Sequence, residues 1–85
     1  MAYAIEFAPS AQREFRKLAR EIQLRLRPRI DALADDPRPT GAKKLKGRAD
    51  LWRIRAGDYR IVYEIRARLL VVLVVRVAHR REAYR

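Results

Sequence analysis

Residues 51–77, LWRIRAGDYRIVYEIRARLLVVLVVRV, decide the fold. Two stretches of alternating side chains, Leu51–Ala56 and Tyr59–Arg66, flank Gly57 and Asp58, a dipeptide suited to a tight turn with positive φ, so the chain predicts a β-hairpin here. A two-residue loop sets Arg55 directly opposite Arg60 and leaves Arg53 two positions along the same face. Trp52, Ile54, Ile61 and Tyr63 then share the other face, which is the one to bury. Residues 69–77 are almost wholly Leu and Val, the composition of a strand covered on both faces and therefore central in its sheet. The turn around Ala67 and Arg68 governs whether Arg76 and Arg80 join Arg60. A three-residue loop puts them on its face, a two-residue loop does not, and the sequence leaves both open.

Outward from that core, residues 3–8 alternate with Tyr3, Ile5 and Phe7 on one face, which predicts a half-buried strand. Pro9 and Ser10 end it and open a helix, with Ser10 as the expected N-cap and Ala11, Phe15, Leu18 and Ala19 as the apolar stripe. A second helical pattern carries Ile22, Leu26, Ile30 and Leu33 and stops at Asp35, Asp36 and Pro37. Pro28 lies inside it, where a missing N–H and a ring clash cost about 3 kcal/mol, so a kink or a helix starting near Pro28 is expected. Residues 38–50, rich in Pro, Gly and Lys and without period, read as a mobile loop carrying bases to the sheet edge. The expectation is an α+β fold: a small, mostly antiparallel four-stranded sheet with two N-terminal helices packed on one face, in the order β-α-α-β-β-β.

The chain has 85 residues, a length that suits one domain spanning 1–85. At this size only roughly 60 to 65% of the unfolded surface is buried, so the core is thin and a stabilising partner fits. There is no cysteine and one histidine, His79, which excludes disulfides, thiolate nucleophiles and cysteine or histidine metal clusters. The longest apolar run, residues 69–75, is far short of the ~20 a membrane helix needs, and MAYAIEF lacks the features of an export signal, so a soluble, cytoplasmic protein with no membrane partner is expected. Formal net charge is +11, and it is unevenly spread. Residues 1–37 hold seven bases and six acids, whereas residues 38–85 hold fourteen bases against four acids. That asymmetry is the footprint of a polyanion partner. The alternative to it is a solubilising surface in an arginine-rich proteome.

The segments MAYAIEF, DPRP, KKLKG, LWRIRAGDYRIVYEI and VVRVAHRREAYR together resemble, nearly end to end, the RelE toxins of the RelE/ParE toxin-antitoxin superfamily. The resemblance implies a β-α-α-β-β-β fold and a toxin that cleaves translated mRNA in the ribosomal A site without metal or other cofactor, inhibiting translation. It implies as partners the ribosome with its RNA, the mRNA, and a RelB-like antitoxin in a hetero-oligomeric complex. It also maps the family's two basic residues of the second strand onto Arg53 and Arg55, the arginine of the YR-hydrophobic-VY strand onto Arg60, and the tail arginine and tyrosine onto Arg80 and Tyr84. His79 falls where the family often has a basic or histidine side chain. Two departures stand out: the tail ends at Arg85, and Arg replaces the Lys of some relatives on the second strand.

Cleavage of RNA through its own 2′-hydroxyl requires removal of that proton, stabilisation of charge on phosphorus, and protonation of the leaving 5′-oxygen. Arginine supplies the second, because its planar fork binds phosphate oxygens bidentately and stays charged. Arg60 and Arg80 are therefore read as clamps, with Arg53 and Arg55 positioning the backbone. Tyr84, its phenolate favoured by neighbouring guanidinium groups, is the candidate base, and a stacking or anchoring role is the other option. His79 is a candidate leaving-group acid or RNA contact, with Lys43, Lys44, Lys46 and Arg81 as RNA or ribosome contacts. Two other functions compete: a ParE-like toxin that inhibits DNA gyrase through protein contacts, and a non-catalytic nucleic-acid binding module.

Overall fold

The computed structural model describes residues 2–47, 50–79 and 81. In order, they form β1 (Ala4–Phe7), α1 (Pro9–Arg16), α2 (Arg20–Asp31), a 3₁₀ turn (Ala32–Ala34), β2 (Lys43–Lys44), β3 (Leu51–Ala56), β4 (Tyr59–Arg66), a second 3₁₀ turn (Ala67–Leu69) and β5 (Val71–His79). The strands make one sheet in the order β1-β5-β4-β3-β2, with β1 parallel to β5 and the other neighbours antiparallel. The α+β class with two helices stands, but the expected four-stranded sheet is five-stranded and mixed. The extra strand is β2, inside the stretch read as a loop. Two residues are too short to display an alternating period, and their pairing comes from lying alongside β3, with Lys43 opposite Arg53 and Lys44 opposite Trp52.

The hairpin forms in the predicted register, Ala56 opposite Tyr59 and Arg55 opposite Arg60, and Gly57 takes φ +62°, a conformation that L side chains rarely adopt. Strand β5 is central, as its composition predicts, but it begins at Val71 rather than Leu69. Leu69 and Leu70 turn out into solvent, and Leu70 sits at φ +52°.

Packing follows the alternation. Ile54, Ile61, Tyr63, Ile65, Val72, Val74 and Val77 on one sheet face meet Ala11, Leu26, Ile30 and Leu33 from the helical layer, all of them 4% exposed or less. Each such Leu, Ile or Val contributes about 1.5–3 kcal/mol by leaving water. Two helix expectations need correction. The N-cap of α1 is Ala8, with Pro9 at the first helical position and no side-chain cap, so Ser10 lies inside the helix. Helix α2 starts at Arg20 and continues past Pro28, so it does not begin at the proline. The carbonyl that Pro28 leaves without a helical donor is that of Leu24, a residue 63% exposed on the outer side of the helix, while Leu26 and Ile30 on the buried side hold the helix to the sheet.

Tyr63 ties the helical layer to the sheet. Its ring is fully buried and its hydroxyl donates to the Pro37 carbonyl at 2.7 Å. Burial pushes its pKa up to about 12, against a lowering effect of the Arg38 guanidinium. Arg38 in turn lies 5.3 Å over the Trp52 ring.

Candidate nucleic-acid interface

The sheet face away from the helices carries the cations. One cross-strand row reads Lys43, Arg53, Val62, Arg76, and the next reads Arg55, Arg60, Ala78. Arg55 is exposed and Arg53 partly so. Arg60 belongs to the same face but is only 6% exposed, so it is a buried cation rather than the open surface group that alternation predicts. A guanidinium in such a position is retained where surrounding groups replace its hydration. Like charges directly opposite each other across a ladder are unfavourable, and an anion lying between them relieves the repulsion.

How Arg76 reaches this face answers the question the sequence left open. Four residues, 67–70, separate β4 from β5, a spacing with the parity of a two-residue loop. Continued along the strand, it would put Arg76 opposite Ile61 and into the core. Instead the register shifts between Val62 and Tyr63: Tyr63 pairs with Val74, Val62 pairs with Arg76, and Val75 has no partner. A β-bulge thus turns Arg76 to the cationic face and delivers Val77 to the core, where it is 2% exposed.

The other expected site residues divide. Arg80 and Tyr84 lie outside the described residues. His79 pairs with Tyr59, whose ring it meets edge-on with centroids 5.4 Å apart, and the pleat sets both on the helix side of the sheet, opposite in facing to Arg60. The structure therefore separates His79 from the arginine rows. Lys43, Lys44, Lys46 and Arg81 are all exposed, with Lys43 on the arginine face and Lys44 on the other.

Sequence reasoning missed Arg29. It projects from the last turn of α2 and donates from Nη2 to the Arg55 carbonyl at 2.8 Å, beyond the point where β2 stops pairing with β3. With Asp36, Thr40, Lys43, Arg53 and Arg55 it lines a cleft of about 440 Å³ at the sheet edge. No local pattern marks it, because its partner lies 26 residues away.

Chemically, these rows supply fixed positive charge and bidentate donors. Among the described residues no histidine or carboxylate stands beside Arg55 and Arg60 on their face; Glu64 lies two rows away and binds Arg66 at 2.6 Å.

This fold, two helices on one face of a mixed sheet, has relatives among known proteins. Residues 5–84 match the family described as ParE toxin of the type II toxin-antitoxin system parDE. The mRNA interferase toxin RelE of Escherichia coli K12 is 34% identical over 82 residues, covering 94% of this chain and 85% of that protein. The toxin in the intact E. coli RelBE toxin-antitoxin complex superposes with TM-score 0.80 at 31% identity, covering 92% of this chain and 96% of that one. The archaeal RelE-RelB complex from Pyrococcus horikoshii gives TM-score 0.81 at 26% identity over 94% of this chain and 97% of that one. The chain belongs to the RelE/ParE superfamily of type II toxins. Within it, the end-to-end match to RelE proteins makes it a toxin of the RelE type.

Proposed function

We propose that this chain is the toxin of a type II toxin-antitoxin pair and acts as a ribosome-dependent mRNA interferase, held inactive by a RelB-like antitoxin. The observation that carries the reading is the facing pair Arg55 and Arg60 on the cationic face, an arrangement suited to a phosphodiester. In the reaction the RNA 2′-oxygen bonds to the adjacent phosphorus as its proton passes to a base. The bond from phosphorus to the 5′-oxygen breaks, and that oxygen takes up a proton, leaving a 2′,3′-cyclic phosphate and a 5′-hydroxyl. Arg60 and Arg80 stabilise the charge gained on the phosphoryl oxygens, and Arg53 and Arg55 hold the strand. The base is assigned to Tyr84, the tail tyrosine that the resemblance to RelE toxins maps to the site. His79, on the other sheet face, takes no part in the chemistry. Exposed Lys43, Lys44, Lys46 and Arg81 contact ribosomal RNA.

A ParE-like attack on DNA gyrase is the second reading, favoured by the description of the family that matches residues 5–84. Primer-extension mapping of transcripts after induction decides between them. Cuts in register with codons, persisting in chelator once ribosome integrity is controlled for, support the interferase. DNA-damage signalling without cuts supports gyrase, and the absence of both supports a non-catalytic binding module.

A further inference from the structure

We infer that Arg76 is a further RNA-phosphate ligand of the cationic face and that Glu14 is its positioning residue, acting through the bulge in β5. The inference rests on the interferase reading for the identity of the polyanion. Its geometry is independent of that reading. Strand β1 covers the outer edge of β5 only as far as Val74, whose carbonyl accepts the last inter-strand bond from the Ala8 N–H at 2.8 Å. Among the described residues no strand flanks β5 on that side beyond Val74, and the bulge at Val75 would leave the next outward N–H without a strand acceptor. Glu14 of α1 supplies one: its Oε1 accepts from the Val77 N–H at 2.8 Å. The same carboxylate, through Oε2, lies 3.5 Å from Arg76 Nε. One side chain thus stabilises the irregular backbone that aims Arg76 and holds the stem of the guanidinium it aims.

The site of action follows from the register. Arg76 stands opposite Val62, in the row of Arg53 and Lys43 and diagonal to Arg60, within reach of a long side chain. Its side chain is 41% exposed, and its Nε is the guanidinium nitrogen recorded against Glu14. A single RNA strand that sets one phosphate between Arg55 and Arg60 brings a neighbouring phosphate to this row. Arg76 is well suited to meet it, since an arginine already oriented by a carboxylate loses less freedom on binding.

The probe is a fluorescent single-stranded oligoribonucleotide with 2′-O-methyl groups, which binds and cannot be cleaved by 2′-hydroxyl attack, titrated by anisotropy across a salt series. Arg76→Gln is expected to weaken binding about three- to tenfold at low salt and to reduce the log-log salt slope by about 0.7, the loss of one phosphate contact on a single strand. An unchanged slope overturns the assignment of Arg76. Glu14→Gln and Glu14→Ala both remove one negative charge from beside the RNA. Were Glu14 only a charge, both would tighten binding alike. As a positioning residue it gives opposite signs: Glu14→Gln, whose amide oxygen still accepts the Val77 N–H, binds RNA as tightly as the parent or tighter, whereas Glu14→Ala binds more weakly. That weakening disappears in the Arg76→Gln background. Equal tightening by both variants, or an undiminished Glu14→Ala effect without Arg76, overturns the positioning role. Should Glu14→Ala not fold, weakened binding by a folded Glu14→Gln overturns it instead. Because the probe is uncleavable, failure here is distinct from absence of cuts in the transcript assay, which would strike the interferase reading.

Discussion

Arg55 and Arg60 face each other across one ladder position, yet their surroundings differ, and that difference separates the consequences of removing them. Arg55 is exposed, so Arg55→Ala is expected to relieve growth arrest with little change in melting temperature, since it also removes a like-charge contact. Arg60 is 6% exposed, and Arg60→Ala should relieve growth arrest while also destabilising the fold by about 1–3 kcal/mol, because groups that compensated a buried cation are left unpaired. Viability after induction together with thermal melts checks both. A fully toxic, folded double variant would remove the pair from the site. Tyr63 gives a residue-scale test of stability alone. Its pKa, raised from 10.0 to about 12, means that the unfolded chain loses the phenol proton first, so the stabilisation is complete below pH 10 and is lost as pH rises towards 12. Tyr63→Phe should cost about 1 kcal/mol at neutral pH through loss of the Pro37 hydrogen bond, and should flatten the alkaline fall in stability. Urea titrations at pH 7 and pH 11 measure the two effects, and an equally steep alkaline fall in the Phe variant would assign it to another group.

The elements differ in how far local chemistry specifies them. Strands β3 and β4 were legible because alternation, the Gly57 and Asp58 turn and the expected face of Trp52, Ile54, Ile61 and Tyr63 all agree. The cationic partnership of Arg53, Arg55 and Arg60 followed from that register without further information. The pairing of β2, the continuity of α2 through Pro28 and the bulge at Val75 were not legible, since each depends on what lies across space: the β3 edge, solvent at Leu24, and the Glu14 carboxylate. The β4–β5 turn is the clearest local conflict. Leu70 holds a left-handed conformation that costs a side chain of its type roughly 1–2 kcal/mol, and at 51% exposure its burial returns little. Its backbone bonds, from Leu70 N–H to the Ala67 carbonyl and from Ala4 N–H to the Leu70 carbonyl, do not need the side chain. Leu70→Gly is therefore expected to raise the unfolding free energy by about 0.5–1 kcal/mol after the added freedom of the unfolded chain, read as a higher urea midpoint with an unchanged m-value. A lowered midpoint would mean that the leucine is held there by packing.

At the scale of the whole molecule, charge and apolar exposure call for different behaviour from the antitoxin. The formal net charge is +11, and the cationic rows occupy the sheet face without helices, so an acidic partner is drawn in over a range set by ionic strength. Leu24, Leu69 and Leu70 are each more than half exposed, and a RelB-like chain that covers such side chains gains burial that salt does not screen. Attraction therefore governs how fast the complex forms, and apolar anchors govern how long it lasts. Stopped-flow association is expected to slow by at least tenfold between low salt and about 0.5 M NaCl, while the dissociation rate changes by no more than a few-fold and the complex still elutes intact from a size-exclusion column at high salt. Substituting Leu24, Leu69 or Leu70 by Ser should accelerate dissociation and leave the salt dependence of association unchanged wherever that leucine is an anchor. A complex that falls apart in high salt, with association and dissociation equally salt-sensitive, would show that the antitoxin is held by charge alone.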